Sequence, residues 1–175
     1  MVGSNIKKIG LFGGSFDPPH QGHLKISKIA IKKLSLDLIY WCVTKKNPFK
    51  NKTFFSLSER IKKSKIITDK EKKIKIKFFE DKIKSTNTVD LIKYLKKKNK
   101  KNIFFLIIGS DNLIKFHKWK NWKLLPVLTE IVVFSRKDFD KKAKKSVIMK
   151  LVKDIKFIKN KPINISSTEI RKRMS

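Results

Sequence analysis

Ile9-Gly10-Leu11-Phe12-Gly13-Gly14-Ser15-Phe16-Asp17-Pro18-Pro19-His20-Gln21-Gly22-His23 joins an apolar run to a glycine pair and then to two of the chain's three histidines. The order predicts a strand, a glycine turn and a helix whose first turn carries both imidazoles. A helix N-terminus after such a turn offers backbone N–H groups and a positive dipole end to an anion. Residues three apart share a helix face, so both rings can reach the same phosphate oxygens, and Gly22 between them leaves room for close approach. The stretch therefore reads as a nucleotide-handling loop. A glycine pair alone also makes a plain tight turn, and two histidines alone could be half of a metal site. Zinc is not expected, because the single cysteine, Cys42, lies in the apolar run Ile39-Tyr40-Trp41-Cys42-Val43 and no Cys/His set completes a tetrahedron. No metal-binding residue is assigned. A Gly-Lys-Ser/Thr ending and a three-glycine dinucleotide fingerprint are both missing.

Outward from this stretch, short β-branched or aromatic runs alternate with amphipathic ones. Ile6 to Phe12, Leu36 to Val43, Ile74 to Phe78, Ile103 to Ile108, Ile131 to Phe134 and Ile155 to Ile158 read as strands. Helices are expected near 20–34, 58–67, 88–98, 111–116, 122–128 and 143–152. Such β-α-β alternation predicts an α/β fold with a parallel sheet between helices, in a single domain spanning 1–175. The continuous apolar strand Ile103-Phe104-Phe105-Leu106-Ile107-Ile108 suits burial on both faces. Ligands bind beyond the carboxyl ends of such strands. Three candidate loops obey that rule: the glycine-histidine stretch, Thr44 to Lys50, and Gly109-Ser110-Asp111.

The chain's 175 residues suffice for a core without disulfides. It lacks a signal-peptide pattern and any run of ~18 apolar residues, so no membrane partner is expected, and its single cysteine suits a reducing cytoplasm. The net charge of +31 invites a nucleic-acid reading. Yet only four of 45 basic residues are arginine (Arg60, Arg136, Arg171, Arg173), and only two residues are alanine. Lys, Asn, Ile and Phe are abundant, all with A/T-rich codons, so base composition accounts for much of the charge. Specific phosphate and base readout favours the planar guanidinium. No specific nucleic-acid partner is expected, only weak adhesion to RNA at low salt. Repulsion at this charge favours a monomer or a weak homo-oligomer.

Together with Ile165-Ser166-Ser167-Thr168-Glu169-Ile170-Arg171, the opening stretch resembles the paired signature of the HxGH nucleotidyltransferase superfamily. More narrowly, the chain resembles bacterial nicotinate-nucleotide adenylyltransferases over nearly its whole length. Gly109-Ser110-Asp111-Asn112 with Phe116-His117-Lys118-Trp119, and Thr86-Asn87-Thr88-Val89-Asp90, carry that narrower likeness. The resemblance implies a Rossmann-like doubly wound sheet and transfer of AMP from ATP to nicotinate mononucleotide in NAD biosynthesis, releasing pyrophosphate, with Mg²⁺ carried by ATP. It implies catalytic roles for His20 and His23 on the ATP phosphates. Gly13, Gly14, Ser15 and Phe16 would give ATP a close backbone surface; Gly109 and Asp111 would meet its ribose, and Ser166, Ser167, Thr168 and Arg171 would hold further oxygens. Ser166 to Thr168 could equally be a plain helix cap with Glu169 nearby. Lys50 would bind the acceptor's phosphate, Thr86 and Thr88 the pyridine ring or its carboxylate, and Trp119 would lie under the ring. Trp122 is expected to pack in the core.

The chain departs from the family pattern at Phe49, where many relatives have histidine, and at Asn87 and Leu91, in place of Tyr and Thr. It also ends soon after the second signature, which suggests a shortened C-terminus. Two other readings remain at this stage: the same transfer onto nicotinamide mononucleotide or phosphopantetheine, and a noncatalytic basic protein that binds RNA or anionic lipid.

Overall fold

The computed structural model describes residues 6–45, 53–161 and 165–174. Among these, six strands form one sheet: β1 (Lys8–Gly14), β2 (Leu38–Val43), β3 (Ile74–Lys77), β4 (Ile103–Gly109), β5 (Glu130–Phe134) and β6 (Lys156–Ile158). All five pairings are parallel, in the order β3-β2-β1-β4-β5-β6. This is the doubly wound order expected, and its switch point lies between β1 and β4. The helices are α1 (Gln21–Lys33), α2 (Leu57–Ile67), α3 (Glu80–Ile83), α4 (Thr88–Lys98), α5 (Ser110–Ile114), α6 (Leu125–Leu128), α7 (Asp140–Lys144), α8 (Val147–Leu151) and α9 (Ser167–Met174). Short 3-10 turns cover Phe116–Lys118 and Trp122–Leu124.

Successive strand residues point to opposite faces of a sheet, and both faces are buried. Ile9, Leu11, Phe104, Leu106, Ile108, Ile131 and Val133 join one apolar cluster with Val89, Ile92 and Leu95 of α4. Phe12, Ile39, Trp41, Phe105, Ile107, Val132 and Phe134 join the other with Ile26 and Ala30 of α1. Full burial explains why these strands read as continuous apolar runs. Gly10 lacks the side chain that would sit 2.9 Å from the Ile107 and Leu36 methyls, which lets the second cluster close against β1.

Sequence and structure differ in several places; α3 lies where no element was expected, and the helix expected near 122–128 is a 3-10 turn followed by α6. Gly13 and Gly14 finish β1 and do not form a turn; the left-handed residue that turns the chain is Phe16, at φ 47°. His20 is the N-cap of α1 and lies outside its first turn. The helix expected over 143–152 is two, because Ser146 adopts the extended conformation of an N-cap and starts α8 anew. Of the described residues, no helix is long and apolar enough to cross a membrane.

Candidate active site

Beyond Gly14 the chain crosses the carboxyl edge of the sheet, and two reciprocal hydrogen bonds seat the histidines there. The Gly22 N–H donates to His20 Nδ1 (3.1 Å), and the His20 N–H donates to His23 Nδ1 (3.2 Å). This is a capping box built from two imidazoles. With each Nδ1 accepting, the neutral rings carry their protons on Nε2. The ring centroids lie 3.8 Å apart. Burial and then the Arg136 cation lower the His20 pKa from 6.5 to about 4. His23 is held well below its usual range by burial, then by His20 and Arg136. The pair therefore presents two neutral N–H donors at neutral pH.

Aromatic packing fixes this arrangement. Phe16 stacks on Trp41 (4.7 Å, 5°), and Phe12, Phe16 and Trp41 all lie within 6 Å of the His23 ring. The Trp41 indole N–H donates to Ser27 Oγ (2.7 Å), whose hydroxyl donates to the His23 carbonyl (2.9 Å). A Cβ added at Gly13 would meet nothing within 4 Å, so the loop floor is open to a ligand there.

The second signature docks on the first. Ser167 Oγ donates to the Pro18 carbonyl (2.9 Å), and Arg171 donates to the Asp17 carbonyl and, at 3.1 Å, to Thr168 Oγ1. Ser166 caps α9: its hydroxyl bonds the Glu169 carboxylate (2.9 Å) and accepts from the Glu169 N–H (3.2 Å). The capping reading thus holds for Ser166, while Ser167 and Arg171 tie α9 to the histidine loop. After β4, the Asp111 carboxylate lies beside Gly109 and 3.3 Å from Arg136 Nε. The missing side chain at Gly109 makes room for both groups.

On the other side of Gly13, Gly14 and Ser15 lies a cavity of about 630 Å³. Thr86, Asn87, Thr88 and Leu91 line it, with Trp119 between Lys118 and Lys120. Trp119 stacks on buried Phe116 (5.0 Å, 27°), while Trp122 meets Phe116 edge-on and packs on the core as expected. Asn87 is tied down, its amide donating to Asp90 Oδ2 and Ser85 Oγ, both at 3.0 Å. Lys50 and Phe49 lie outside the described residues.

Sequence reasoning assigned no role to four charged residues that the fold brings here. Asp17 accepts from the Phe54 and Phe55 N–H groups (2.8 and 2.9 Å). Arg136 faces Asp111 and both histidines. Glu80, buried in the cavity wall, accepts from the Lys45 N–H (3.0 Å). Arg60, 1% exposed, donates, among the described residues, to backbone carbonyls alone. The scarcity of arginine was the signal available: three of the four sit at this edge of the sheet.

The cytidylyltransferase-like family model matches residues 11–173. A relative from Pelagibacter ubique, named "Probable nicotinate-nucleotide adenylyltransferase", is 48% identical over 167 residues, covering 94% of this chain and 92% of its own. One of the same name from Ruegeria is 38% identical over 128 residues, covering 73% and 67%. The solved Plasmodium falciparum nicotinic acid mononucleotide adenylyltransferase, complexed with NaAD, superposes with a TM-score of 0.75 at 25% identity, covering 95% of this chain and 83% of that one. The chain, with its doubly wound sheet and its paired signatures joined at one edge, belongs to the cytidylyltransferase-like family and, within it, to the nicotinate-nucleotide adenylyltransferases.

Proposed function

We propose that this protein transfers AMP from ATP to nicotinate mononucleotide, giving nicotinate adenine dinucleotide and pyrophosphate. The observation that carries the reading is a shared floor: Gly13 to Ser15 line the Trp119 cavity and lead directly into the histidine pair. A nucleotide whose ring enters the cavity would bring its phosphate toward an ATP held over the histidines. The 5′-phosphate oxygen then attacks the α-phosphorus in line and pyrophosphate leaves. No side-chain nucleophile is needed, so the protein's work is alignment and neutralisation of charge.

His20 and His23 donate from Nε2 to the ATP oxygens where charge grows in the transition state. Gly13, Gly14, Ser15 and Phe16 supply the surface beneath the nucleotide. Asp111, beside Gly109, accepts from the ribose hydroxyls, and α9 brings Thr168 and Arg171 to the phosphates. In the acceptor cavity the Trp119 indole offers a flat face to the pyridine ring. Thr86 and Thr88, at the positive end of α4, address its carboxylate. Lys118 and Lys120 add positive potential on the same wall, which favours the acid over the amide. Lys50 would meet the acceptor's phosphate.

Among the described residues, no group of three or more His, Cys, Asp or Glu is placed to hold a metal. We read Mg²⁺ as delivered on the hard oxygens of ATP. The ion would supply further neutralisation of the polyphosphate charge. A cytoplasmic location suits these substrates.

The test is pyrophosphate release from Mg-ATP with nicotinate mononucleotide, nicotinamide mononucleotide and phosphopantetheine in parallel. Preference for the first is expected, with kcat falling by about 10²–10³ in His20→Ala. Release that favours another acceptor, or that survives His20→Ala unchanged, overturns the reading.

A further inference from the structure

Arg60 lies on α2, outside both signatures, yet its guanidinium ends between the two substrate sites. Nη1 donates to the carbonyls of Ser15 (2.6 Å) and Thr44 (2.7 Å), Nη2 to that of Lys45 (2.9 Å), and Nε to that of Phe55 (3.2 Å). Ser15 belongs to the loop that leads into the histidine pair; Thr44 follows β2, and both residues line the 630 Å³ cavity. Three of the residues it touches are held by their backbone N–H groups too. Glu80 takes the Lys45 N–H, Asp17 takes the Phe55 N–H, and the Thr44 N–H donates to the Gly14 carbonyl (3.0 Å).

A buried cation is a poor way to fill a core, since an apolar side chain of similar volume often does so at equal or better stability. What an apolar side chain cannot do is bind several carbonyls from separate loops. Lysine, which supplies all but four of this chain's 45 basic residues, has three donors on one rotating nitrogen and lacks the rigid fork that reaches diverging carbonyls.

We propose that Arg60 is a positioning residue for the transfer step: by holding Ser15, Thr44 and Lys45 on one planar group, it sets the separation between the nucleotide loop and the acceptor cavity. The inference rests on the cavity being the acceptor site. Each substrate still has its own contacts when Arg60 is changed, so each binds; what is lost is their mutual alignment. Misplacement by about 1 Å costs on the order of 10² in rate.

The experiment compares Arg60→Lys, Arg60→Gln, Arg60→Met and Arg60→Ala with the wild type. Steady-state kinetics give kcat, calorimetry gives the affinity of each substrate alone (with a nonhydrolysable ATP analogue), and thermal unfolding gives stability. The expected result is kcat lower by ~10²-fold in Arg60→Lys and Arg60→Gln, with each separate affinity within about threefold of wild type. Arg60→Met loses at least as much kcat while melting no lower than Arg60→Lys. Guanidinium ion, but not methylammonium, restores at least tenfold of the rate to Arg60→Ala. A folded Arg60→Lys with wild-type kcat overturns the proposal, as does kcat that tracks melting temperature variant by variant or falls only as far as substrate affinity does. Failure of the wild type itself to use nicotinate mononucleotide overturns the assignment of function instead, so the two failures are read separately.

Discussion

Each histidine at the site is set by what its Nδ1 accepts. Burial, and then the neighbouring cations, oppose charging either ring, and protonation at Nδ1 would also break the backbone N–H bonds that His20 and His23 accept there. In the unfolded chain both titrate near 6.5; in the folded protein His20 titrates at about 4 and His23 is also lowered. Below pH 6.5 the unfolded state therefore binds more protons, and stability falls as pH drops toward 4, by up to about 1.4 kcal/mol per unit from His20, with His23 acting in the same direction. Urea unfolding at pH 7 and pH 5 should show that loss, and His20→Gln should reduce it; equal stability at the two pH values would contradict the pairing. Trp119 is a separate case, since its proposed role concerns one ring only. Trp119→Ala should raise KM for nicotinate mononucleotide by about 10–100-fold, the worth of one stacked aromatic ring, while KM for ATP moves by less than threefold. An equal rise for both substrates would make Trp119 a packing residue of the core.

At the scale of elements, α9 is held differently from the rest. It has no buried residue, and Ser167 and Arg171 tie it to the Pro18 and Asp17 carbonyls and to the Asp17 carboxylate. In the double variant Ser167→Ala/Arg171→Ala, amide exchange across α9 should accelerate by tenfold or more, with β1 and β4 still protected. Uniform acceleration would show α9 folding as one unit with the sheet. By contrast α4 buries Val89, Ile92 and Leu95, and its bounds, Thr88–Lys98, are those the apolar spacing predicts. The difference is physical: spacing records contacts with a core, whereas α9 reaches backbone oxygens and the Asp17 carboxylate, contacts that leave no apolar periodicity in the sequence.

For the whole molecule, charge divides into two populations. Lysines cover every segment and pair with carboxylates at the surface, as Lys28 does with Glu71 and Lys45 with Asp81, while Arg60, Arg136 and Arg171 engage carbonyls and carboxylates at the carboxyl edge of the sheet. The lysine surface should bind RNA through counterion release, with affinity falling by orders of magnitude between 50 and 200 mM salt. Filter binding across that range checks this. Saturable, sequence-selective binding that persists at high salt would instead mark a nucleic-acid function.

The alternation of buried strands and amphipathic helices and the glycine-histidine stretch were determined by sequence alone, because apolar periodicity and local motif chemistry are carried by neighbouring residues, while the Trp119 segment stood out there only through the family resemblance. Tertiary structure decided the rest. The glycine pair continues β1 because its backbone pairs with Cys42 and Val43 of β2, leaving the turn to Phe16. Asp17, Arg60, Glu80 and Arg136 became part of the site only when parallel strands 1, 2, 4 and 5 set their carboxyl ends along one edge, bringing together groups as far apart as Asp17 and Arg171. Such contacts bind one side chain to the backbone of a distant loop, and a backbone carbonyl looks the same in every residue.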